Sequence, residues 1–257
     1  MNDNVNILCF KWGALYPADY VNRLYRAVKE HMHRRFRFVC VTDDPSGLDE
    51  GVDVQPFPEK PEGYPRGWPD IFVKLLVFKD GFANLEGPTL FLDIDQAITG
   101  DLDCFFDYKP GEFCIIHNWI ERRKRIFRKV PDIGNSSCFR FEAGKMNHVY
   151  ELFLKEMNEA INQKFYRTEQ AYMTHAVGLK NINWWPSDWV VSFKRSCQRI
   201  FPLNLFMTPK RPAKNARILC FHGNPSPEQA IAGFNGKRNR HLNQITRPAL
   251  WIKEFWK

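Results

Sequence analysis

Short apolar runs alternate with segments of helical periodicity over the first hundred residues, and this alternation constrains the fold more than any other feature of the chain. The first run covers residues 6–10. Apolar side chains then recur at helical spacing from Ala18 onward, and residues 36–41 form the next run. Strands that alternate with helices in this way predict a mainly parallel sheet. We therefore expect an α/β fold with a mainly parallel central sheet flanked by helices.

The rest of the chain continues the pattern. At 257 residues, the chain is long enough for one large domain and too short to favour two, so we predict one domain over residues 1–257. Ligands in open sheets of this kind bind beyond the carboxyl ends of the strands. Further strands are predicted at residues 52–57, 89–92, 111–117, 137–141 and 217–221, and helices at residues 71–78, 146–164 and 169–177.

The net charge indicates the class of partner. The chain has 37 Lys and Arg against 29 Asp and Glu, a net charge of +8, so its partner is expected to be nucleic acid, an acidic membrane surface or a phosphate-bearing small molecule.

The seven cysteines are scattered, as reduced core thiols are. No apolar run approaches the roughly 18 residues that span a bilayer, and no signal pattern opens the chain. These features predict a cytoplasmic protein.

Two carboxylates separated by one residue follow the apolar run 89–92. Because strand side chains alternate, Asp93 and Asp95 face one way and Ile94 the other. Such like charges repel unless a cation lies between them, and hard oxygen ligands suit Mg²⁺ or Mn²⁺. A second triplet with Asp101 and Asp103 lies in a loop that contains glycine, so we expect a turn or a helix cap there.

A histidine follows the last strong apolar run. His222 is succeeded by Gly223 and Asn224, and then by prolines that stiffen the loop. A lone histidine is more often a structural residue than a metal ligand. The position of His222 at a second strand end favours a ligand that completes the metal shell.

Together these residues resemble the glycogenin-like and galactosyltransferase-like glycosyltransferases, which have a D-x-D triplet at a strand end and a late histidine motif. The resemblance implies a nucleotide-diphospho-sugar transferase (GT-A-like) architecture, with residues 1–100 as the nucleotide-binding half and residues 101–257 as the acceptor-binding half. It also implies that Asp93, Asp95 and His222 bind Mn²⁺ (or Mg²⁺). The lysine of the family's late motif has no counterpart here, so Lys11 or Lys74 is expected to supply its positive charge.

Two other segments are similar to the family. Asn135 and Ser136 match its strand beside the donor sugar, and Glu169 matches its helix start that faces the acceptor. A plain turn and a favourable helix-terminal charge are the respective structural alternatives. Trp12, after the first strand, is expected to stack on the nucleotide base. The residues expected to contact the donor and its metal are Phe10, Lys11, Trp12, Lys74, Asp93, Ile94, Asp95, Asn135, Ser136, His222, Gly223 and Asn224.

Three other segments admit two interpretations each. Trp184, Trp185 and Trp189 surround Asp188 and form either an acceptor platform or a hydrophobic cluster under a loop. Asp188 is the candidate base for an inverting reaction, and Glu169 is the other catalytic candidate. The basic run 122–129 is either a solvated face or a flap that covers an anionic ligand or contacts anionic lipid. Residues 250–257 either rest at a membrane interface or pack on the domain.

The expected function is transfer of a hexose from a UDP-sugar to a saccharide or glycolipid acceptor in polysaccharide biosynthesis. The resemblance implies Mn²⁺ dependence and retention of configuration, and the charge admits peripheral contact with the inner face of an anionic membrane. One alternative is a nucleotidyltransferase acting on sugar phosphates, although residues 11–16 lack its glycine-rich loop. The other is a basic nucleic-acid-binding module, although no zinc, helix-turn-helix or RNA-recognition signature is present. The sequence leaves the oligomeric state open.

Overall fold

Two sheets organise the protein. The computed structural model describes residues 4–119, 132–162, 168–236 and 242–257. The strands are β1 (Val5–Lys11), β2 (Phe36–Thr42), β3 (Asp53–Pro56), β4 (Gly87–Leu92), β5 (Gln96–Ile98), β6 (Phe113–His117), β7 (Gly134–Ala143), β8 (Ile182–Trp184), β9 (Val190–Ser192) and β10 (Ile218–Cys220).

The larger sheet has seven strands in the order β3-β2-β1-β4-β7-β6-β8. The pairs β3-β2, β2-β1, β1-β4 and β6-β8 are parallel, whereas β7 runs antiparallel to both β4 and β6. The predicted α/β class with a mainly parallel sheet is confirmed. The antiparallel β7 lies inside the sheet and joins strands from the two halves of the chain.

Helices cover both faces of this sheet. Alternate side chains of β1 enter different cores: Ile7 packs in one cluster together with α1, and Leu8 packs in the other together with residues of α3 and α4. The α-helices are α1 (Ala18–His31), α2 (Cys104–Asp107), α3 (Asn147–Asn162), α4 (Glu169–Val177) and α5 (Pro227–Ala232). None of the helices described here is long and apolar enough to cross a bilayer.

The predicted helix 71–78 is a 3₁₀ helix, Ile71–Phe78, with seven of its eight residues buried. Lys74 is one of the seven, so a charged side chain enters the interior from this element. The predicted basic run 122–129 lies outside the described residues.

The end of the chain packs on the domain. The Trp256 indole is buried and donates to Glu228 Oε1 at 2.8 Å. The Trp251 indole donates to the Pro209 carbonyl at 3.3 Å. Of the two interpretations of residues 250–257, the structure supports packing on the domain.

The smaller sheet has the order β5-β10-β9. Cys220 of β10 pairs with Gln96 of antiparallel β5 and with Ser192 of parallel β9. The chain that leaves β9, the chain that leaves β10 and the chain that enters β5 therefore meet at one edge. Because β5 begins one residue after Asp95, this edge adjoins the carboxylate triplet.

Candidate active site

The carboxylate triplet links the two sheets. The Asp93 N–H donates to the Ser137 carbonyl at 3.0 Å, which extends the β4-β7 pairing one residue beyond the end of β4. Three residues later the chain enters β5. Asp93 and Asp95 thus lie at the carboxyl edge of a central strand, where this class of sheet binds ligands.

Both carboxylates line a cleft of about 230 Å³. Its walls come from the end of β1, the loop after β1, the 3₁₀ helix Ile71–Phe78 and the start of α4. The lining residues that the sequence predicted are Phe10, Lys11, Trp12, Lys74, Asp93, Ile94, Asp95 and Glu169, and those that it did not predict are Leu15, Tyr16 and Ile71.

A buried lysine pairs with the first carboxylate. Lys74 Nζ donates to Asp93 Oδ1 at 2.6 Å, and it lies 3.4 Å from the Ser136 carbonyl. Burial alone would lower the pKa of Lys74, but the charges of Asp93 and Glu169 raise it above its ordinary value. Lys74 is therefore a permanent positive charge beside the triplet.

The second carboxylate is held close to its neutral form. Burial, followed by the negative charge of Asp93, raises the pKa of Asp95 to about 8, although Lys74 acts in the opposite direction. Tyr16 lines the same cleft, and burial, followed by the negative charges of Asp95 and Asp93, raises the pKa of Tyr16 to about 12. A divalent cation between Asp93 and Asp95 would remove the repulsion that raises the Asp95 pKa.

Glu169 reaches the cleft from the first turn of α4. The side chain of Thr168 caps this helix by accepting from the Ala171 N–H, and the Ser136 hydroxyl donates to Glu169 Oε1 at 2.6 Å. Asn135 and Ser136 lie in β7, so the segment is a strand and not the plain turn of the alternative interpretation, and Asn135 Oδ1 accepts from the Ser137 N–H at 3.1 Å. Ser136 therefore positions Glu169, whereas neither Asn135 nor Ser136 is among the residues that line the cleft.

The donor set fits a hard divalent ion. Mg²⁺-type sites in proteins commonly use one or two carboxylates and complete the shell with water and substrate phosphates. Asp93 and Asp95 supply the two carboxylates, and Lys11 and Lys74 supply positive charge for phosphate oxygens at the same cleft. The site can thus hold an anionic, metal-chelating ligand.

Comparison with solved structures identifies the architecture. The bifunctional glycosyltransferase WbbM superposes with a TM-score of 0.63 at 12% identity, over 88% of this chain and 47% of WbbM, so the chain spans about half of that protein. The galactosyltransferase LgtC, solved in complex with donor and acceptor sugar analogues, superposes with a TM-score of 0.59 at 14% identity, over 97% of this chain and 94% of LgtC. The fold is the GT-A glycosyltransferase fold. The sequence itself matches no protein-family model and no curated protein.

Within the GT-A fold, the structure places the end of β10 next to the triplet but turns the ring of His222 elsewhere. Antiparallel pairing of Cys220 with Gln96 runs the chain after β10 alongside Asp95. The imidazole Nε2 instead lies 2.6 Å from Ser192 Oγ, and the ring stacks on Trp119. In the part of the chain that the structure describes, the ligand atoms of Asp93, Asp95 and His222 do not all lie within 4.8 Å of one another.

The environment of His222 keeps its imidazole neutral. Burial, followed by the charges of Lys194 and Arg195, lowers the pKa of His222 to about 4. Gly223 and Asn224 turn away from the cleft and line a second cavity of about 620 Å³. The donor contacts predicted for Gly223 and Asn224 therefore lie at a different cavity from those predicted for Asp93 and Asp95.

Asp188 lies apart from the cleft of the GT-A fold. It accepts from the Asn215 amide at 3.2 Å and is not among the residues that line the cleft. Trp185 and Trp189 pack edge-to-face against Phe105. The tryptophan segment is thus a hydrophobic cluster under a loop, and of the two catalytic candidates only Glu169 lines the cleft.

The second acidic triplet has a structural role. Asp103 accepts from the backbone N–H groups of His33 and Arg34 and from the Arg34 guanidinium, directly after α1. His33, Asp101 and Asp103 are the one three-ligand group among residues 4–119, 132–162, 168–236 and 242–257. Those bonds fasten the chain after α1 to the start of α2. Asp101 Oδ1 accepts from the Asp103 N–H at 2.9 Å, as the turn interpretation predicts, whereas the Asp103 side chain makes no capping bond to α2.

Three cleft residues escaped the sequence analysis. Leu15 and Tyr16 lie in the loop between β1 and α1, and Ile71 begins the 3₁₀ helix. The position of that loop beyond the carboxyl end of the first strand was a usable signal. Nothing local in the sequence indicates that Tyr16 shares a cleft with Asp95, because the β1-β4 pairing brings their two segments together.

Proposed function

We propose that the protein is a glycosyltransferase that moves a hexose from a UDP-sugar to a saccharide or glycolipid acceptor, with Mn²⁺ or Mg²⁺ in the cleft and with retention of configuration. One observation carries the proposal: Asp93 and Asp95 line a cleft at the carboxyl edge of a GT-A sheet, beside the buried Lys74. The binding of donor and acceptor sugar analogues by LgtC supports the same class of ligand.

Asp93 and Asp95 would hold the metal, and diphosphate oxygens would complete its coordination. The ion, when bound, neutralises negative charge that develops on the leaving diphosphate. Lys74 lies beside Asp93, so it adds a positive charge where that diphosphate would rest. His222 joins the ion only if its ring leaves Ser192, and two carboxylates with a diphosphate suffice without it.

The aromatic side of the cleft is assigned to the nucleotide base. Trp12 follows β1 and is fixed edge-to-face against Phe57, and Phe10 lines the same wall. An indole held in this way offers a flat surface for stacking on uracil. The sugar then lies toward the triplet and Glu169.

Glu169 and Ser136 are assigned to the sugar and acceptor. The acceptor oxygen forms the new bond to the anomeric carbon as the bond from that carbon to the diphosphate breaks. The departing diphosphate takes the acceptor proton, so a separate base is not required. Glu169 orients hydroxyl groups in this arrangement, and Ser136 holds its carboxylate at 2.6 Å.

A thermal-shift screen with UDP, GDP, CMP and their sugars, with and without Mn²⁺, tests the proposal. We expect stabilisation by UDP and UDP-sugars that requires Mn²⁺, loss of this stabilisation in Asp95→Asn, and its retention in the matched variant Asp101→Asn. An unchanged shift in Asp95→Asn contradicts the metal assignment. Product formation from UTP and a sugar 1-phosphate would favour a nucleotidyltransferase, and stabilisation by RNA alone would favour a nucleic-acid-binding module.

A further inference from the structure

The positive charge of the chain is concentrated in one region. Residues 189–253 contain twelve Lys and Arg and a single acid, Glu228, whereas the rest of the chain has 25 basic and 28 acidic residues. The whole net charge of +8 therefore comes from this quarter of the protein. Such asymmetry indicates an anionic partner for one face.

Part of this region forms a basic cavity. Lys194 and Arg195 follow β9, and with Arg199 they line the 620 Å³ cavity that also contains Gly223 and Asn224. Among the described residues lining this basic cavity, none is acidic. Its chemistry suits phosphate groups.

An apolar loop borders the basic cavity. Residues 200–207 expose five large hydrophobic side chains, and two of them, Ile200 and Phe201, also line the cavity. Phe206 is 78% exposed and Ile200 is 69% exposed, well beyond what packing on the domain would leave. The five exposed side chains are Ile200, Phe201, Leu203, Phe206 and Met207.

The apolar loop is held in this exposed arrangement. Asn204 at its centre is buried, and its amide donates to the Leu242 carbonyl at 2.7 Å and to the Ile245 carbonyl at 2.8 Å. Gln198 before the loop donates to Thr246 Oγ1 at 3.0 Å. The backbone is tied to the domain while the apolar side chains point outward, as in a preformed contact surface.

We propose that the apolar loop and the basic cavity together form a docking surface for an anionic lipid bilayer. Apolar side chains that lie between cations match the acyl boundary and the phosphate layer of a membrane surface. A nucleic acid would use the cations and could stack on phenyl rings, but it gives no partner to Ile200, Leu203 and Met207. The mixture of aliphatic and basic groups therefore favours lipid.

The docking surface adjoins the candidate active site. Cys220, at the end of β10, pairs with Gln96, which directly follows Asp95, and Ser192, at the end of β9, pairs with Cys220. Lys194 comes two residues after Ser192, and Gly223 comes three residues after Cys220. A docked protein would present its cleft near the lipid surface, where a glycolipid acceptor lies. This consequence rests on the proposed function, whereas the docking itself does not.

Co-sedimentation of the full chain with vesicles tests the proposal. The vesicles contain phosphatidylcholine alone or phosphatidylcholine mixed with phosphatidylglycerol. We expect partitioning onto the anionic vesicles only, and a loss of about tenfold or more in Phe201→Ser with Phe206→Ser and in Arg195→Gln with Arg199→Gln. The matched controls, Leu154→Ser with Leu179→Ser and Lys155→Gln with Lys180→Gln, change exposed residues elsewhere and are expected to partition as the wild type does.

Three results would overturn the docking surface: no partitioning onto anionic vesicles, equal losses in the paired variants and their controls, or loop substitutions that abolish RNA binding or self-association in place of lipid binding. The UDP thermal shift separates this proposal from the function. A missing UDP shift in a protein that still binds vesicles would end the glycosyltransferase assignment and leave the docking surface standing.

Discussion

Lys74 Nζ lies 2.6 Å from Asp93 Oδ1, on the wall of a cleft that also contains Asp95 and Glu169. Lys74 reaches this position from a 3₁₀ helix whose other side chains are mostly buried and apolar. The lysine is thus a fixed counter-charge to Asp93, and a divalent ion between Asp93 and Asp95 would remove the repulsion that remains between the two carboxylates.

Replacement of Lys74 by Gln should destabilise the metal-free protein. The change leaves the partly buried Asp93 without its ion pair, so we expect a loss of about 2–3 kcal/mol in the free energy of unfolding. Mn²⁺ should restore part of this loss because it supplies the missing positive charge. Urea unfolding with EDTA or with Mn²⁺ measures both effects. Lys79→Gln, which removes an exposed lysine just after the same helix, is the control, and equal stability of the two variants would contradict the prediction.

Replacement of Asp95 by Asn should change how stability depends on pH. An acid whose pKa is raised from 3.8 to about 8 on folding costs stability that grows as the pH rises between these values. Asn removes this cost. The metal-free variant should therefore exceed the wild type by a few kcal/mol at pH 8 and approach it near pH 4. Urea unfolding in EDTA across this pH range measures the free energy of unfolding of both proteins. A difference between them that is the same at every pH would contradict the prediction.

Replacement of Glu169 by Gln should reduce turnover without weakening donor binding. Misplaced sugar hydroxyl groups cost about 10²-fold in kcat, whereas the Mn²⁺-dependent UDP shift should stay at the wild-type value. Ser136→Ala, which removes the hydrogen bond to Glu169, should cost about tenfold. UDP release from UDP-sugars measures turnover. The control is Glu159→Gln, which changes an exposed glutamate. Loss of the UDP shift in Glu169→Gln would contradict the prediction, because it would show that Glu169 contributes to donor binding.

Replacement of His222 by Gln should leave Mn²⁺ binding nearly intact. The imidazole bonds to Ser192, and its ring stacks on Trp119. We expect a loss in Mn²⁺ affinity below the roughly tenfold that supporting groups of a metal site contribute, measured by calorimetry with UDP present. A loss as large as that in Asp95→Asn would show that the ring moves onto the ion.

The parts of the fold that were predictable are those in which one segment carries its own signal. The central parts of β1, β2 and β4, residues 7–10, 38–41 and 90–92, are continuous apolar runs because both faces of these strands are buried there. Asp93 and Asp95 were recognisable because they end such a run. The sequence could not decide whether Trp185 and Trp189 form an acceptor platform or a hydrophobic cluster. Their packing against Phe105, a distant residue in the sequence, decides for the cluster.

The unpredicted parts depend on contacts between distant segments. β5 and β9 have three residues each, too few for a periodic signal, and they exist through pairing with β10. The hydrogen bond between Ser192 and His222 depends on the same pairing, because β9 and β10 bring the two residues together. The 3₁₀ state of Ile71–Phe78 is likewise absent from its composition, which is equally typical of an α-helix or a buried strand.

The central claim is that Asp93 and Asp95 share a divalent ion with a nucleotide diphosphate. Crystals grown with UDP and Mn²⁺ and measured at the manganese absorption edge test it most directly. The account predicts one anomalous peak bonded to both carboxylates and to the diphosphate, with Lys74 beside it. A peak at His33, Asp101 and Asp103, or a nucleotide bound outside the cleft without metal, would contradict it.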